Sequence, residues 1–299
     1  MGERGSLTLA GEEIAVTRFP ARGEAIATVL MPTAMGVRQD FYAPFAEHLA
    51  EAGLHVTTFD WRGMGWSRPA SLRGYPVRIT DWAREDLDRM LHEARQPAPH
   101  LPLLYVGHSL GGQLLGIAPG NAMVSAMLTV NAGNGWYKFN RASPWQLRFF
   151  WFAAVPLLTP LFGYFPGKML RMVGDLPSGV AWQWRRWCTS PHYMVDDKGI
   201  PLREGFERVR VPVRSYSFSD DSLVSREAIE DLHSCYKHAQ LEHRHFSPAQ
   251  LSIERIGHFG FFAQPGRDTL WDEARGWLVD RARATPRCRK PEGPAPVNL

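Results

Sequence analysis

Between residues 101 and 117 the chain reads Leu-Pro-Leu-Leu-Tyr-Val-Gly107-His108-Ser109-Leu110-Gly111-Gly112-Gln-Leu-Leu-Gly-Ile. An apolar, β-rich run passes directly into a helix-like pattern, with no room for a loop between them. Only a tight strand-to-helix turn joins two elements that closely, and it needs neighbours without side chains on either side of Ser109. Such a turn holds the serine on strained backbone, with the free N–H groups of a helix N-terminus behind it. G-x-S-x-G alone is a short pattern that a plain Gly-rich turn also satisfies. The strand before it and the helix after it make it specific.

The flanking sequence supports that setting. Residues 7–10 and 14–19 read as short strands, 25–31 as a buried strand and 55–59 as another. Phe41, Phe45, Leu49 and Ala52 fall at helical spacing over 41–52, which Gly53 stops. An amphipathic helix is expected over 81–94, a strand over 101–106, a helix over 110–117 and a strand over 127–130. Apolar strands separated by helices predict an α/β fold with a mostly parallel sheet covered on both faces.

The alternation lapses over 134–208, which hold six Trp and several Pro, and then resumes. A strand is expected over 211–218, a helix over 226–237, a strand near 241–245 and a last helix around 269–281. The expected organisation is a core of residues 1–133 and 209–282, interrupted by a helical, aromatic-rich cap over 134–208. Residues 283–299 read as a disordered tail, dense in Arg and Pro.

A serine hydroxyl is a poor nucleophile unless a base takes its proton and a third group holds the base. In elbows of this kind the acid and then the histidine follow the serine along the chain. The acid is expected where the strand at 211–218 runs into Ser219-Asp220-Asp221-Ser222-Leu223-Val224. Asp221 is the choice, with Leu223 and Val224 anchoring the loop; Asp220 is the alternative, its other role being turn chemistry. Of eleven His, His258 alone sits in a late, Gly-flanked apolar loop, Ile256-Gly257-His258-Phe259-Gly260. His108 points away from the site if Ser109 points into it. His233, His238, His243 and His245 lie on element faces as packing or surface residues.

An oxyanion hole needs two N–H donors. Leu110 supplies the one after the nucleophile. The other is expected from the loop after the 25–31 strand, from Ala34 or else Met35; Pro32 has no N–H. Asp60-Trp61-Arg62-Gly63-Met64-Gly65-Trp66-Ser67 lacks the spacing of a phosphate loop. It reads as a structural loop in which Arg62 ties down neighbouring carbonyls or carboxylates.

These four motifs, taken in order over residues 25–282, make the chain resemble the α/β-hydrolase superfamily. The likeness is closest to the serine-hydrolase branch with monoacylglycerol-lipase-like and serine-aminopeptidase-like proteins. The resemblance implies about eight strands, a cap inserted after the sixth, and a triad of Ser109, Asp221 and His258 with no cofactor or metal. It implies hydrolysis of an ester or related acyl bond, with acyl transfer (thioesterase, acyltransferase or cyclase) as the alternative on the same triad. A non-catalytic binding protein on this fold is the rival from another class. A haloalkane dehalogenase would need Asp in place of Ser109. Two positions depart from the pattern: Pro32-Thr33 stands where many relatives have His-Gly, and Asn131 stands where some keep an acid.

The aromatic residues of the cap favour a small-molecule, lipophilic acyl substrate, with Trp136, Tyr137, Phe149 and Trp184 as candidate pocket residues. Net charge is +4, and the only dense basic run lies in the Pro-rich tail, so no nucleic-acid partner is expected. Three Cys without metal-type spacing, and an N-terminus with no apolar core, point to reduced thiols and a cytoplasmic location. Residues 149–167 carry no charge, but Pro156, Pro160, Gly163 and Pro166 break them up as a membrane span. Weak contact with a membrane surface through the cap stays open, and the oligomeric state is not readable.

Overall fold

The computed structural model describes residues 2–140, 144–170 and 173–286. Its main sheet has eight strands: β1 Glu3–Leu9, β2 Glu12–Phe19, β3 Ala27–Pro32, β4 Leu54–Phe59, β5 Leu103–His108, β6 Val124–Val130, β7 Pro212–Phe218 and β8 Gln240–Phe246. In space they run β1-β2-β4-β3-β5-β6-β7-β8. β1 and β2 form an antiparallel hairpin, closed where Ala10 and Gly11 both take positive φ, as a two-residue turn between twisted strands requires. β2 joins β4 antiparallel, and every later pairing is parallel. This is the mostly parallel α/β sheet expected from the sequence.

Strands β3 and β5 are buried at every position, which is why they read as unbroken apolar runs. Alternation still sorts their side chains. Val29, Met31, Leu104 and Val106 face one core, with helices α1 (Ala43–Ala50) and α8 (Trp271–Ala284). Leu30 and Tyr105 face the other, with α2 (Leu87–Arg95) and the chain between β6 and β7. Among its described residues, that chain adds no strand to the main sheet. It holds α4 (Pro144–Phe149), a π turn over Phe150–Ala154, α5 (Val155–Phe162), a two-residue ribbon and α6 (Ser178–Thr189).

Several elements differ from the periodicity. The 41–52 helix opens with a 3-10 turn over Gln39–Tyr42, because Pro44 in the first turn of α1 has no N–H to extend the helix backwards. The helix after the elbow is α for one turn only, α3 (Leu110–Gln113), and then tightens to 3-10 over Leu114–Ile117. Helix α7 (Arg226–His233) stops four residues short of the expected end. The final helix reaches Ala284, two residues into the expected tail; Cys288 and the rest of that tail from 287 lie outside the described residues.

Candidate active site

The elbow has the geometry its glycines predict. Ser109 sits at φ 50°, ψ −118°, between the end of β5 and the start of α3. That backbone is strained for a residue with a side chain, and such strain concentrates at functional sites. A Cβ on Gly107 would lie 2.4 Å from the Gly112 Cα, and one on Gly111 would lie 2.3 Å from the Pro32 carbonyl oxygen. Strand, helix and the loop after β3 can approach only because these positions are bare. The Ser109 N–H donates to the Val130 carbonyl at 2.9 Å, tying the turn to the end of β6.

Asp221 and His258 meet, and Asp220 is turned to another task. The Asp221 Oδ2 lies 2.7 Å from the His258 Nδ1, while its Oδ1 accepts the N–H groups of Leu223 and Val224 at 2.8 and 3.1 Å. The Asp220 Oδ2 instead accepts the N–H groups of Ile256 and Gly257, at 2.9 and 3.0 Å, so it holds the loop that carries the histidine. The contact with Asp221 engages the His258 ring through Nδ1 and leaves Nε2 as the other ring nitrogen.

The backbone of His258 is clamped as well. Its carbonyl accepts the His108 Nε2–H at 2.9 Å and the Asn131 Nδ2–H at 3.0 Å. Asn131, at φ 49°, follows β6 in the left-handed region that Asn tolerates. His108 faces away from the cavity, as expected, but it has a task the sequence did not show. A carbonyl only accepts, so its Nε2 carries the hydrogen and its Nδ1 accepts from the Tyr42 hydroxyl at 2.9 Å. Burial and the adjacent His258 push His108 well below the ordinary histidine range, and burial pushes the Tyr42 hydroxyl up. Both stay neutral.

This chain corrects one oxyanion candidate. The Ala34 N–H donates to the Tyr42 hydroxyl at 3.0 Å, because Tyr42, in the turn before α1, reaches back beneath the loop. Met35, the other candidate, and Leu110 line the same cavity as Ser109. The Asp60–Ser67 loop is structural, as expected. Arg62 forms a buried pair with Asp86, Nε to Oδ1 at 2.5 Å, and Asp60 accepts the N–H groups of Gln39 and Trp66.

Ser109, Leu110, Met35 and His258 line one cavity of about 360 Å³. Its other walls are mostly apolar, with Leu147, Phe150, Trp151, Val173 and Trp184 from the chain between β6 and β7. Of the four expected pocket aromatics only Trp184 is among them. Phe149 is 66% exposed, Tyr137 packs against Phe152 at 6.1 Å between ring centres, and Trp136 packs against Phe139 at 5.2 Å. Phe150 and Trp151 take their place: with Leu147 they fall at i, i+3 and i+4 on one face, and Phe149 falls on the other. The cavity also contains Cys188, whose thiol burial pushes well up, so it is no competing nucleophile. Among the described residues no group of three or more His, Cys, Asp or Glu could hold a metal ion, and no helix is long and apolar enough to cross a membrane.

Comparison with known proteins agrees with this architecture. The family model described as serine aminopeptidase, S33 (Hydrolase_4) matches residues 23–150. A relative from Variovorax paradoxus (strain S110), the putative carbamate hydrolase RutD, is 39% identical over 127 residues; the match spans 42% of this chain and 42% of that protein, less than half of its length. Among solved structures, a soluble variant of monoglyceride lipase from Saccharomyces cerevisiae superposes with a TM-score of 0.65 at 16% identity, covering 94% of this chain and 96% of that one. A haloalkane dehalogenase loop variant from Bradyrhizobium elkanii gives 0.64 at 14%, covering 95% and 98%. At such identities the likeness is one of fold. Together with the strand order and the strained serine between β5 and α3, it shows that the chain has the α/β-hydrolase fold.

Proposed function

We propose that the protein is a serine hydrolase that cleaves a lipophilic ester, or a related acyl bond, through an acyl-enzyme on Ser109. The observation that carries this reading is that Ser109 and His258 open into one cavity, with the His258 ring already oriented by a buried carboxylate 2.7 Å away. His258 Nε2 takes the Ser109 proton as Oγ attacks the acyl carbon. The oxyanion is met by the N–H groups of Leu110 and Met35. His258 returns the proton to the leaving oxygen as the ester C–O bond breaks. Water then attacks the acyl-enzyme, its proton passing through His258 back to Ser109, and the free acid leaves.

Asp221 stabilises the imidazolium formed at each step. The apolar walls favour an acyl chain over a small charged group. In this reading residues 134–208 act as the cap over the serine. The likeness to a carbamate hydrolase and to a monoglyceride lipase agrees with acyl cleavage.

The test is intact-mass measurement after exposure to a fluorophosphonate, followed by hydrolysis of esters of graded chain length. One adduct on the wild type and none on Ser109→Ala supports the reading. A folded wild type that takes no adduct sinks it and favours a binding role.

A further inference from the structure

The rod built from α4, the π turn and α5 is apolar on two sides. Its inner side gives Leu147, Phe150 and Trp151 to the cavity. Its outer side carries Trp145, Phe149, Phe152, Leu157 and Leu161, which are 80%, 66%, 51%, 67% and 69% exposed. The steps between them are four, three, five and four residues, and the step of five leaves the π turn, whose wider coil takes up an extra residue. Scattered exposed hydrophobic residues need no explanation, but a continuous row of this size marks a contact surface. A helix apolar all round is ordinarily covered all round.

The charges around the row narrow what covers it. From Ala94 to Gly174 the sequence contains no Asp or Glu, and neither does α6. The cations are there: Arg148 lies on the rod, the Arg185 guanidinium sits 5.5 Å from the Phe152 ring, and Lys138 sits 5.2 Å from the Trp136 ring. A second copy of the chain would set these cations against their own counterparts. An anionic lipid surface offers apolar depth and negative charge together.

We propose that this face docks on an anionic phospholipid bilayer. The rod lies in the interfacial plane, its outer row in the acyl boundary and Lys138, Arg148 and Arg185 among the phosphates. Its length, about 28 Å for nineteen residues, suits lying along the surface, and its prolines preclude crossing it. The cavity on its inner side then stands one helix diameter from the lipid, about 10 Å. The docking does not depend on Ser109 being activated.

The experiment is flotation of the full chain with vesicles of phosphatidylcholine alone, or of phosphatidylcholine mixed with phosphatidylglycerol. The wild type and Ser109→Ala should float equally with the mixed vesicles, and less with phosphatidylcholine or at high salt. Replacing Trp145, Phe149 and Leu161 together by Ser should weaken binding on the order of a hundredfold or more. Arg148→Gln alone should weaken it about fivefold. A wild type that stays with the buffer overturns the proposal, as does a triple variant that floats like the wild type. So does a dimer by analytical ultracentrifugation that the same three substitutions dissociate, since that assigns the row to a second copy.

Discussion

Two regions meet at the cavity and are held by different forces. On the sheet side, the His258 residue alone makes three directional bonds, through its ring to Asp221 and through its carbonyl to His108 and Asn131, while Asp220 accepts two further amides of the same loop. On the other side, the rod, the short ribbon after it and α6 pack ring edge against ring face: Phe150 and Trp151 at 4.6 Å, Trp151 and Trp184 at 4.9 Å, Phe150 and Phe165 at 5.4 Å between ring centres. Directional bonds fix a position to a fraction of an ångström, as proton transfer requires. Aromatic packing fixes a shape and tolerates exchange of one apolar group for another. Under the proposed function, the chemistry belongs to the first region and the choice of substrate to the second.

Ser109→Ala is the largest test of that division. Loss of the nucleophile should lower kcat by about ten-thousandfold and abolish fluorophosphonate labelling, with the melting temperature little changed. Asp221→Asn should cost on the order of a thousandfold in kcat, since the amide no longer stabilises the imidazolium. Asp220→Asn should cost roughly ten- to a hundredfold, because it acts through the position of the loop. Equal effects of the two Asp variants would break the distinction between orienting the ring and anchoring its loop.

The same division explains what the sequence made legible. The elbow was readable because G-x-S-x-G encodes a steric demand within five residues. Asp221 was readable because the carboxylate and the amides that hold it lie in one hexapeptide. The Ala34 assignment failed because the competing acceptor, the Tyr42 hydroxyl, comes from a turn eight residues on and is fixed by its contact with His108. Tyr42 gave no signal, and His108 and Asn131 stood out only as the elbow histidine and as a departure from an acid, because their bonding partners come near only in the folded loops. The cavity aromatics were misplaced because aromatic content alone assigns no helix face: Leu147, Phe150 and Trp151 share one face at i, i+3 and i+4, and Phe149 falls on the other.

Directional bonds among buried groups also make the sheet side sensitive to pH. His233, at the end of α7, is fully buried between the Thr129 hydroxyl and the Ile229 carbonyl, and burial lowers it from 6.5 to about 4. The unfolded chain therefore binds a proton that the fold refuses. Stability is complete above pH 6.5 and falls as the pH drops towards 4, by about 3 kcal/mol for this group. His108, also depressed, adds to the loss with the same sign. In urea titrations from pH 7 to pH 4.5, His233→Gln should flatten the fall by about one proton's worth of slope. An unchanged slope would place the acid sensitivity elsewhere.

The smallest expected effect probes the other region and is the most discriminating. Trp184, on α6, faces the cavity, and Phe149, on α4, faces outward. Trp184→Leu removes ring area from the substrate side while keeping an apolar surface. Its kcat/KM should shift between short and long acyl esters by roughly tenfold in favour of the bulkier chain, with labelling by the fluorophosphonate retained. Phe149→Ala should leave that ratio alone with dissolved esters, because no wall of the cavity moves. A common scaling of all esters by Trp184→Leu would mean that the indole supports His258 or Ser109 rather than the acyl chain, and the separation between a polar reacting side and an apolar selecting side would fail at that residue.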